Sequence, residues 1–274
     1  MEWIELLKAL ILGFVEGMTE FAPVSSTGHM IIVDDMWLQT KDFLGSSSAN
    51  TFKIVIQLGS ILAVVVVMWK RLLNIIGLYK IEGQKSSHFN LAHVIIGIIP
   101  AGVFGVLFED YIDENLFTIK TVIVGLIIGA IFMIIADKFG PKRPSITSLD
   151  QISYAKAFKI GLVQCLSLWP GFSRSGSTIS GGVLFGLDHK TAADFTFIMA
   201  VPIMAGASGL SLLKHWDEIN LDHLGFYAVG FISAFVFALI SIKFFLKLIA
   251  KVKLTPFAIY RLVLAAVLIF ILAV

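Results

Sequence analysis

Apolar residues fill most of this chain in long blocks, and a helix needs about 20 of them to cross a bilayer. Six blocks approach that length, at 52–69, 89–108, 117–136, 195–213, 226–247 and 254–274, and each predicts a transmembrane helix. Two further blocks, 3–33 and 157–187, are apolar at both ends and interrupted midway by Pro, Gly, Ser and charged residues. Such interruptions predict broken helices, because backbone groups freed at membrane depth must be satisfied by neighbouring protein. The expected fold is an all-α polytopic membrane protein with six transmembrane helices and two re-entrant helical hairpins in a single membrane domain.

The loops between these blocks alternate in sign. Lys70, Arg71, Lys80 and Lys85 fill the first, and Glu109, Asp110, Asp113 and Glu114 dominate the second. Lys138, Lys142, Arg143, Lys156 and Lys159 occupy the third, Asp217, Glu218 and Asp222 outweigh Lys214 in the fourth, and Lys243, Lys247, Lys251 and Lys253 make the fifth basic. The positive-inside rule assigns the first, third and fifth loops to the cytoplasm. The 52–69 helix then runs inward, the first hairpin enters from outside, the second enters from inside, and the C-terminus is extracytoplasmic. Glu2 and Glu5 precede Lys8, which is not the basic start of a cleaved signal peptide, so the first apolar segment is expected to stay.

One hairpin plus three spans, repeated, gives a second copy that is upside down. Setting Gly13 against Gly161, an offset of 161 − 13 = 148, pairs Glu16 with Gln164, Thr19 with Ser167, Phe21 with Trp169, Ser25 with Ser173, Ser26 with Arg174 and Gly28 with Gly176. The aligned positions include polar ones, which apolar similarity alone would not match. The expected organisation is an inverted internal repeat, with one copy over about 1–137 and the other over about 150–274, and a site where the two broken segments meet.

Composition fits this reading: the 274 residues are 57% hydrophobic and only 15% charged, well below the roughly 25% of a soluble domain. A net charge of +2 points to no nucleic-acid partner. Cys165 is the sole thiol, so no disulfide framework or cysteine zinc site is available, and it reads as a small core residue.

The candidate chemistry sits in the two interruptions. Glu16 and Glu20 are four residues apart, which puts both carboxylates on one helix face. A charge at the bilayer centre costs about 2.5–3.5 kcal/mol on insertion scales, so two glutamates there suggest function over a merely wet interface. Ser25, Ser26, Thr27, Gly28 and His29 follow Pro23 as a hydroxyl-rich turn opening the next apolar run. Hydroxyls and free N–H groups at a helix start suit a phosphate, although they also serve as a simple cap.

The second interruption, Pro170 to Thr178, repeats the grammar with Ser173, Arg174, Ser175, Gly176, Ser177 and Thr178. Arg174 keeps its charge in an apolar hairpin and so requires water, a carboxylate or an anionic ligand; a pair with Glu20 is the purely structural alternative. His29 can act as acid, base or phosphoryl acceptor. His88, His93, His189, His215 and His223 read as interfacial, and Arg261 as reaching the cytoplasmic surface.

With Glu16-Gly17-Met18-Thr19-Glu20-Phe21, the Pro23 to His29 turn, the Pro170 to Thr178 turn and the stretch from Phe52 through Gln57-Leu58-Gly59-Ser60, the chain closely resembles the bacterial undecaprenyl-diphosphate phosphatases, also called bacitracin-resistance proteins. The resemblance covers essentially the whole chain. It implies hydrolysis of undecaprenyl diphosphate to undecaprenyl phosphate and inorganic phosphate, recycling the lipid carrier for cell-wall synthesis. It also implies a divalent metal, Mg²⁺ or Ca²⁺, and an extracytoplasmic reaction at the bacterial plasma membrane.

On that reading Arg174 and the two hydroxyl turns hold the diphosphate, and Glu20 with Glu16 binds the metal or activates the attacking group. Ser26, His29 and an activated water remain open as the attacking group. Substrate-binding candidates are Ser25, Thr27, Gly28, Ser173, Ser175, Gly176, Ser177 and Thr178. The implied partners are a polyprenyl diphosphate lipid and the bilayer, with a homo-oligomer left open. The competing reading is a transporter or flippase for undecaprenyl phosphate that uses the same midplane site, since inverted repeats also serve alternating access.

Overall fold

A computed structural model describes residues 3–80, 88–214, 216 and 219–273. Glu2, Lys85, His215, Asp217 and Glu218, which enter the charge and histidine readings above, lie outside the described residues. Helices dominate the described chain, and they fall at the predicted blocks.

The first interrupted block forms α1 (Trp3–Thr19), a break, and α2 (Ser26–Met30), which widens into a π-helical stretch over Ile31–Leu38 and is followed by α3 (Thr40–Leu44). The return limb is therefore longer than the expected end at 33. Asp34 closes it: its buried Oδ1 accepts from the Thr40 amide at 3.1 Å and the Thr40 hydroxyl at 2.7 Å, around a left-handed Gln39. Lys53 supplies the counter-charge to Asp34 at 3.4 Å.

The second interrupted block forms α8 (Tyr154–Gln164) and α9 (Arg174–Leu184), joined by a tight turn of 3-10 helix over Cys165–Leu168 and an irregular tip. Cys165 sits on that turn half-buried, its thiol directed at the Gly161 carbonyl, so it is not the core residue expected.

The remaining helices are α4 (Ser46–Ile75), α5 (Leu91–Leu107), α6 (Glu109–Asn115), α7 (Ile119–Phe139), α10 (His189–Lys214), α11 (Leu224–Val252) and α12 (Thr255–Ala273). Five described helices are long and apolar enough to cross a membrane. The sixth expected span is α5, which bends by 67° into the acidic α6. The bilayer accounts for what would be a fault in a soluble protein: Ile95, Ile99 and Val103 on α5, Ile128, Ile131 and Ile135 on α7, and Val263, Val267 and Phe270 on α12 are all exposed. Each series advances by three or four residues and so marks one lipid-facing stripe. The chain is an all-α, multi-pass membrane protein.

Ion pairs tie the loops together in the groups that the charge pattern assigns. Arg71 meets Asp150 at 3.2 Å, joining the first and third loops. Lys214 meets Glu109 at 2.8 Å, joining the second and fourth. Asp137 at the end of α7 accepts from His189 at the start of α10 and from the Leu254 and Thr255 amides at the start of α12, so these three ends share one side. His189 thus sits at a span end, as expected, and ties α10 to the end of α7. His93 is buried, completing the cap of α5 with Asn90 and stacking on Tyr154.

Small residues set the closest helix contacts, as expected where lipid gives no hydrophobic drive to helix association. α1 lies along α11 and α8 along α5. A side chain at Gly13 would run into the Gly230 carbonyl, and one at Gly161 into the Gly97 carbonyl. Both hairpins are therefore clamped to a long span by backbone-close packing.

Candidate active site

The tips of the two hairpins meet. Ser175 donates to the Ala22 carbonyl at 3.1 Å, pinning the second tip onto the first. Glu20, one residue beyond α1, keeps the helical bond from its amide to the Glu16 carbonyl at 2.9 Å, so both glutamates do project from one face.

Each tip ends on a serine in a backbone conformation that non-glycine residues rarely adopt: Ser25 at φ 71° and Ser173 at φ 73°. Each serine then caps the helix that follows, Ser25 Oγ accepting from the Gly28 amide at 3.3 Å and Ser173 Oγ from the Gly176 amide at 3.1 Å. Strain of this kind persists only where the surroundings over-determine it, and it concentrates at functional sites. Arg261 is part of that surrounding. It is 0% exposed and does not reach the surface as expected; its guanidinium donates to the Gly171 carbonyl at 2.8 Å and to the Gly125 carbonyl at 3.2 Å. Gly171 turns the second tip at φ +90°, with the Val122 carbonyl where a side chain would stand. The guanidinium stays inside because it satisfies the Gly171 carbonyl, freed by the break in the hairpin, and takes a second bond to the Gly125 carbonyl on α7.

Glu20 is the hub. Its Oε2 accepts from Ser26 Oγ at 2.7 Å and its Oε1 from Arg174 Nη2 at 3.2 Å. The Arg174 and Glu20 side chains are 12% and 10% exposed, so little water screens the pair. Arg174 also donates to the Thr196 carbonyl at 3.3 Å, while Thr178 accepts from Thr196 and donates to the Arg174 carbonyl at 2.7 Å. The arginine is consequently held at both its backbone and its head, with donor capacity left over.

A cavity of about 270 Å³ opens at this point, lined by Glu20, Ser25, Ser26, Thr27, Ser173 and Arg174 from the two tips. The sequence reading did not single out its other walls: Gln57 from α4, Ser167 and Trp169 from the second tip, and Ile203, Met204 and Ala207 from α10. Ser167 and Trp169 were visible only as repeat partners of Thr19 and Phe21, and Gln57 only within a motif of the resemblance. Of the other candidates, Gly28, Ser175, Gly176, Ser177 and Thr178 lie behind the wall as packing and capping groups. His29 is also off the wall. Its Nδ1 lies 2.8 Å from the Ser25 carbonyl and its Nε2 2.7 Å from the Tyr260 hydroxyl, with the two rings stacked. Because a carbonyl only accepts, Nδ1 carries a proton, and both ring nitrogens are engaged.

Among the described residues no group of three or more His, Cys, Asp and Glu side chains could hold a metal ion. Glu16 is 6% exposed and its carboxylate has no hydrogen bond among the described residues; Glu20 and Arg174 are the charges that act on it. A buried carboxylate without donors is costly, and a cation between Glu16 and Glu20 would relieve it. Two carboxylates are too few for an all-protein cage, yet they match the habit of Mg²⁺, which takes one or two carboxylates and completes its shell with water and substrate phosphate.

The chain matches the Bacitracin resistance protein BacA family over residues 9–267. It is 74% identical to the undecaprenyl-diphosphatase of Exiguobacterium sibiricum over 97% of both chains. It is 59% identical to that of Bacillus subtilis, over 97% of this chain and 98% of the other. The undecaprenyl-diphosphatase of Staphylococcus aureus strain MRSA252 is likewise 59% identical, over 95% of this chain and 93% of its own. With near-complete coverage at these identities, the chain belongs to the bacitracin resistance protein BacA family.

Proposed function

We propose that this protein is an undecaprenyl-diphosphatase: it hydrolyses undecaprenyl diphosphate to undecaprenyl phosphate and inorganic phosphate, returning the lipid carrier to cell-wall synthesis and so supporting bacitracin resistance. The observation that carries the reading is Glu20 bonded at once to the Ser26 hydroxyl and the Arg174 guanidinium, inside a cavity among apolar spans. A hydroxyl 2.7 Å from a carboxylate is a nucleophile beside its base. An arginine beside them is a phosphate clamp. The undecaprenyl tail stays in lipid while the diphosphate enters the cavity.

In this mechanism Glu20 takes the proton of Ser26 as its Oγ bonds to the terminal phosphorus, and the bond from that phosphorus to the bridging oxygen breaks, releasing undecaprenyl phosphate. Water then attacks the phosphoserine, the Oγ–P bond breaks, and Ser26 recovers its proton as inorganic phosphate leaves. Arg174 offsets charge on the phosphoryl oxygens throughout. His29 fixes the strained Ser25 carbonyl and so orients the hydroxyl turn. A divalent cation, Mg²⁺ or Ca²⁺, held by Glu16 and Glu20 would neutralise phosphate charge and polarise the phosphorus.

Access from the extracytoplasmic side is supported by the depth of the cavity taken together with the loop charges. Gln57 is 57 − 46 = 11 residues from the start of α4 and 75 − 57 = 18 from its end. Ala207 is 214 − 207 = 7 residues from the end of α10 and 207 − 189 = 18 from its start. At 1.5 Å per residue the cavity is some 10–16 Å from the face holding the α4 start and the α10 end. The loop charges favour the extracytoplasmic side for that face.

The inverted repeat is part of the same proposal, supported by Ser25 and Ser173 sharing one φ and one capping role at an offset of 173 − 25 = 148.

The test is phosphate release from undecaprenyl diphosphate by purified protein in detergent, with and without EDTA, comparing wild type with Arg174→Ala. Release that needs both Arg174 and a metal is the expected result. No release from well-folded wild type would overturn the phosphatase reading and turn attention to transport of the monophosphate.

A further inference from the structure

Gln57 stands on the cavity wall that faces the two hairpin tips, on α4 rather than on either hairpin. Its side chain is not free to rotate. Ser208, on α10 and 2% exposed, donates its hydroxyl to Gln57 Oε1 at 3.0 Å. α4 and α10 pack on one another, so the serine is a fixed point. With Oε1 engaged by Ser208, the polar end that remains is Nε2, whose two N–H donors have no partner among the described residues. Glu20 and Arg174 line the same cavity, which therefore holds a carboxylate acceptor and guanidinium donors beside the amide.

We infer that Gln57 is a further substrate-binding residue, whose Nε2 donates to a phosphoryl oxygen of the lipid diphosphate, and that Ser208 is the positioning residue that aims it. This rests on the phosphatase reading above. The physical case is one of satisfaction and direction. An amide donor on the wall of this cavity with no protein partner among the described residues is open to water or to an anion. An anion is the stronger partner, because hydrogen bonds to charged acceptors are about twice as strong as neutral ones. The geometry also explains a division of labour: the hairpin tips bring nucleophile, base and arginine, while the α4–α10 pair brings a neutral donor that helps hold the head group without adding charge that would compete for Glu20.

The experiment compares Gln57→Leu, Ser208→Ala and the double variant in detergent, using undecaprenyl diphosphate and a short-chain prenyl diphosphate such as farnesyl diphosphate, with thermal unfolding of each variant alongside. Gln57→Leu is expected to lower kcat/KM roughly ten- to hundredfold through KM, with kcat nearly unchanged, the size expected for one hydrogen bond to a charged acceptor. The loss should be the same for both chain lengths, since the contact is to the head. Ser208→Ala should give a smaller loss of the same kind, and the double variant should be no worse than Gln57→Leu, because the serine acts through the glutamine.

An unchanged kcat/KM in Gln57→Leu, or a loss confined to kcat, would overturn the binding assignment. A loss that differs between the two chain lengths would place Gln57 on the tail instead. Additive losses in the double variant would remove the positioning role of Ser208. If Gln57→Leu fails to fold, Gln57→Glu reads the same contact: it keeps the size and the Ser208 bond while replacing the donor with a carboxylate, and must raise KM more than Ser208→Ala does. Wild-type turnover in the same assay separates these outcomes from failure of the phosphatase reading itself.

Discussion

Arg261 reaches from α12 to donate to the carbonyl of Gly171 at 2.8 Å, and that carbonyl belongs to the turn that carries Ser173 and Arg174 into the cavity. A charge in the protein interior with no carboxylate partner among the described residues is here a backbone ligand. Arg261→Met, which is similar in length and apolar, leaves the Gly171 carbonyl without its donor and removes the second bond to the Gly125 carbonyl on α7. Unpaired buried groups cost about 1–3 kcal/mol each, so the detergent-solubilised protein is expected to unfold several degrees earlier and turn over more slowly. Arg261→Lys should recover only part, since an ammonium cannot span both carbonyls. An unchanged melting temperature for Arg261→Met would show that the turn holds itself.

Glu20 and Ser26 act as one unit if the hydroxyl is the nucleophile. Glu20→Gln and Ser26→Ala should each reduce kcat by orders of magnitude, and the double variant should be little worse than the more damaging single change, since groups that work together are not additive. Rates that fall multiplicatively in the double variant would favour independent roles and an activated water.

His29 and Tyr260 make a second pair with a separable role. His29→Ala removes the hold on the Ser25 carbonyl and is expected to lower turnover tenfold or more by loosening the hydroxyl turn, about 1.4 kcal/mol per factor of ten. Tyr260→Phe keeps the stacked ring and should cost only a few-fold. Acid quenching of a single turnover with substrate labelled in the terminal phosphate should find label on Ser26; label on His29 would reassign the nucleophile.

Glu16 and the metal can be tested without activity. Titrating Mg²⁺ or Ca²⁺ against the melting temperature should stabilise wild type in the presence of inorganic phosphate, by mass action on the folded state, and Glu16→Gln should weaken the response. Equal stabilisation of both proteins would remove Glu16 from the metal site.

The Gly13 and Gly161 contacts predict matched effects in the two hairpins. A Leu at either position must push apart backbones already touching, and overpacking typically costs about 1–3 kcal/mol or more. Gly13→Leu and Gly161→Leu are expected to insert into membranes but unfold at lower temperature. A tolerated Leu at either would show that its hairpin is not clamped as described.

The long apolar blocks, the alternating loop charges and the two interruptions were legible in the sequence because each is a local quantity: the length of a bilayer span, the sign of a loop, a proline and a run of hydroxyls. From these the sequence by itself determined a multi-pass helical protein with Glu20, Ser26, His29 and Arg174 as its candidate centre, and the offset of 148 paired Ser25 with Ser173, which the fold places in one conformation.

What only the tertiary structure decided are relations between distant segments. Arg261 looked like a charge with a route to the surface, and its buried role depends on carbonyls on α7 and the second tip. His29 looked equal to Ser26, and only packing against Tyr260, 231 residues away, turned it from the cavity. Gln57 was visible only within a motif of the resemblance, and nothing local showed that its Oε1 would be engaged by a serine 151 residues along the chain on a cavity wall. Periodicity and charge act along the chain, whereas the direction of a polar side chain is set by the partner that satisfies it, and that partner is found only once the helices have packed.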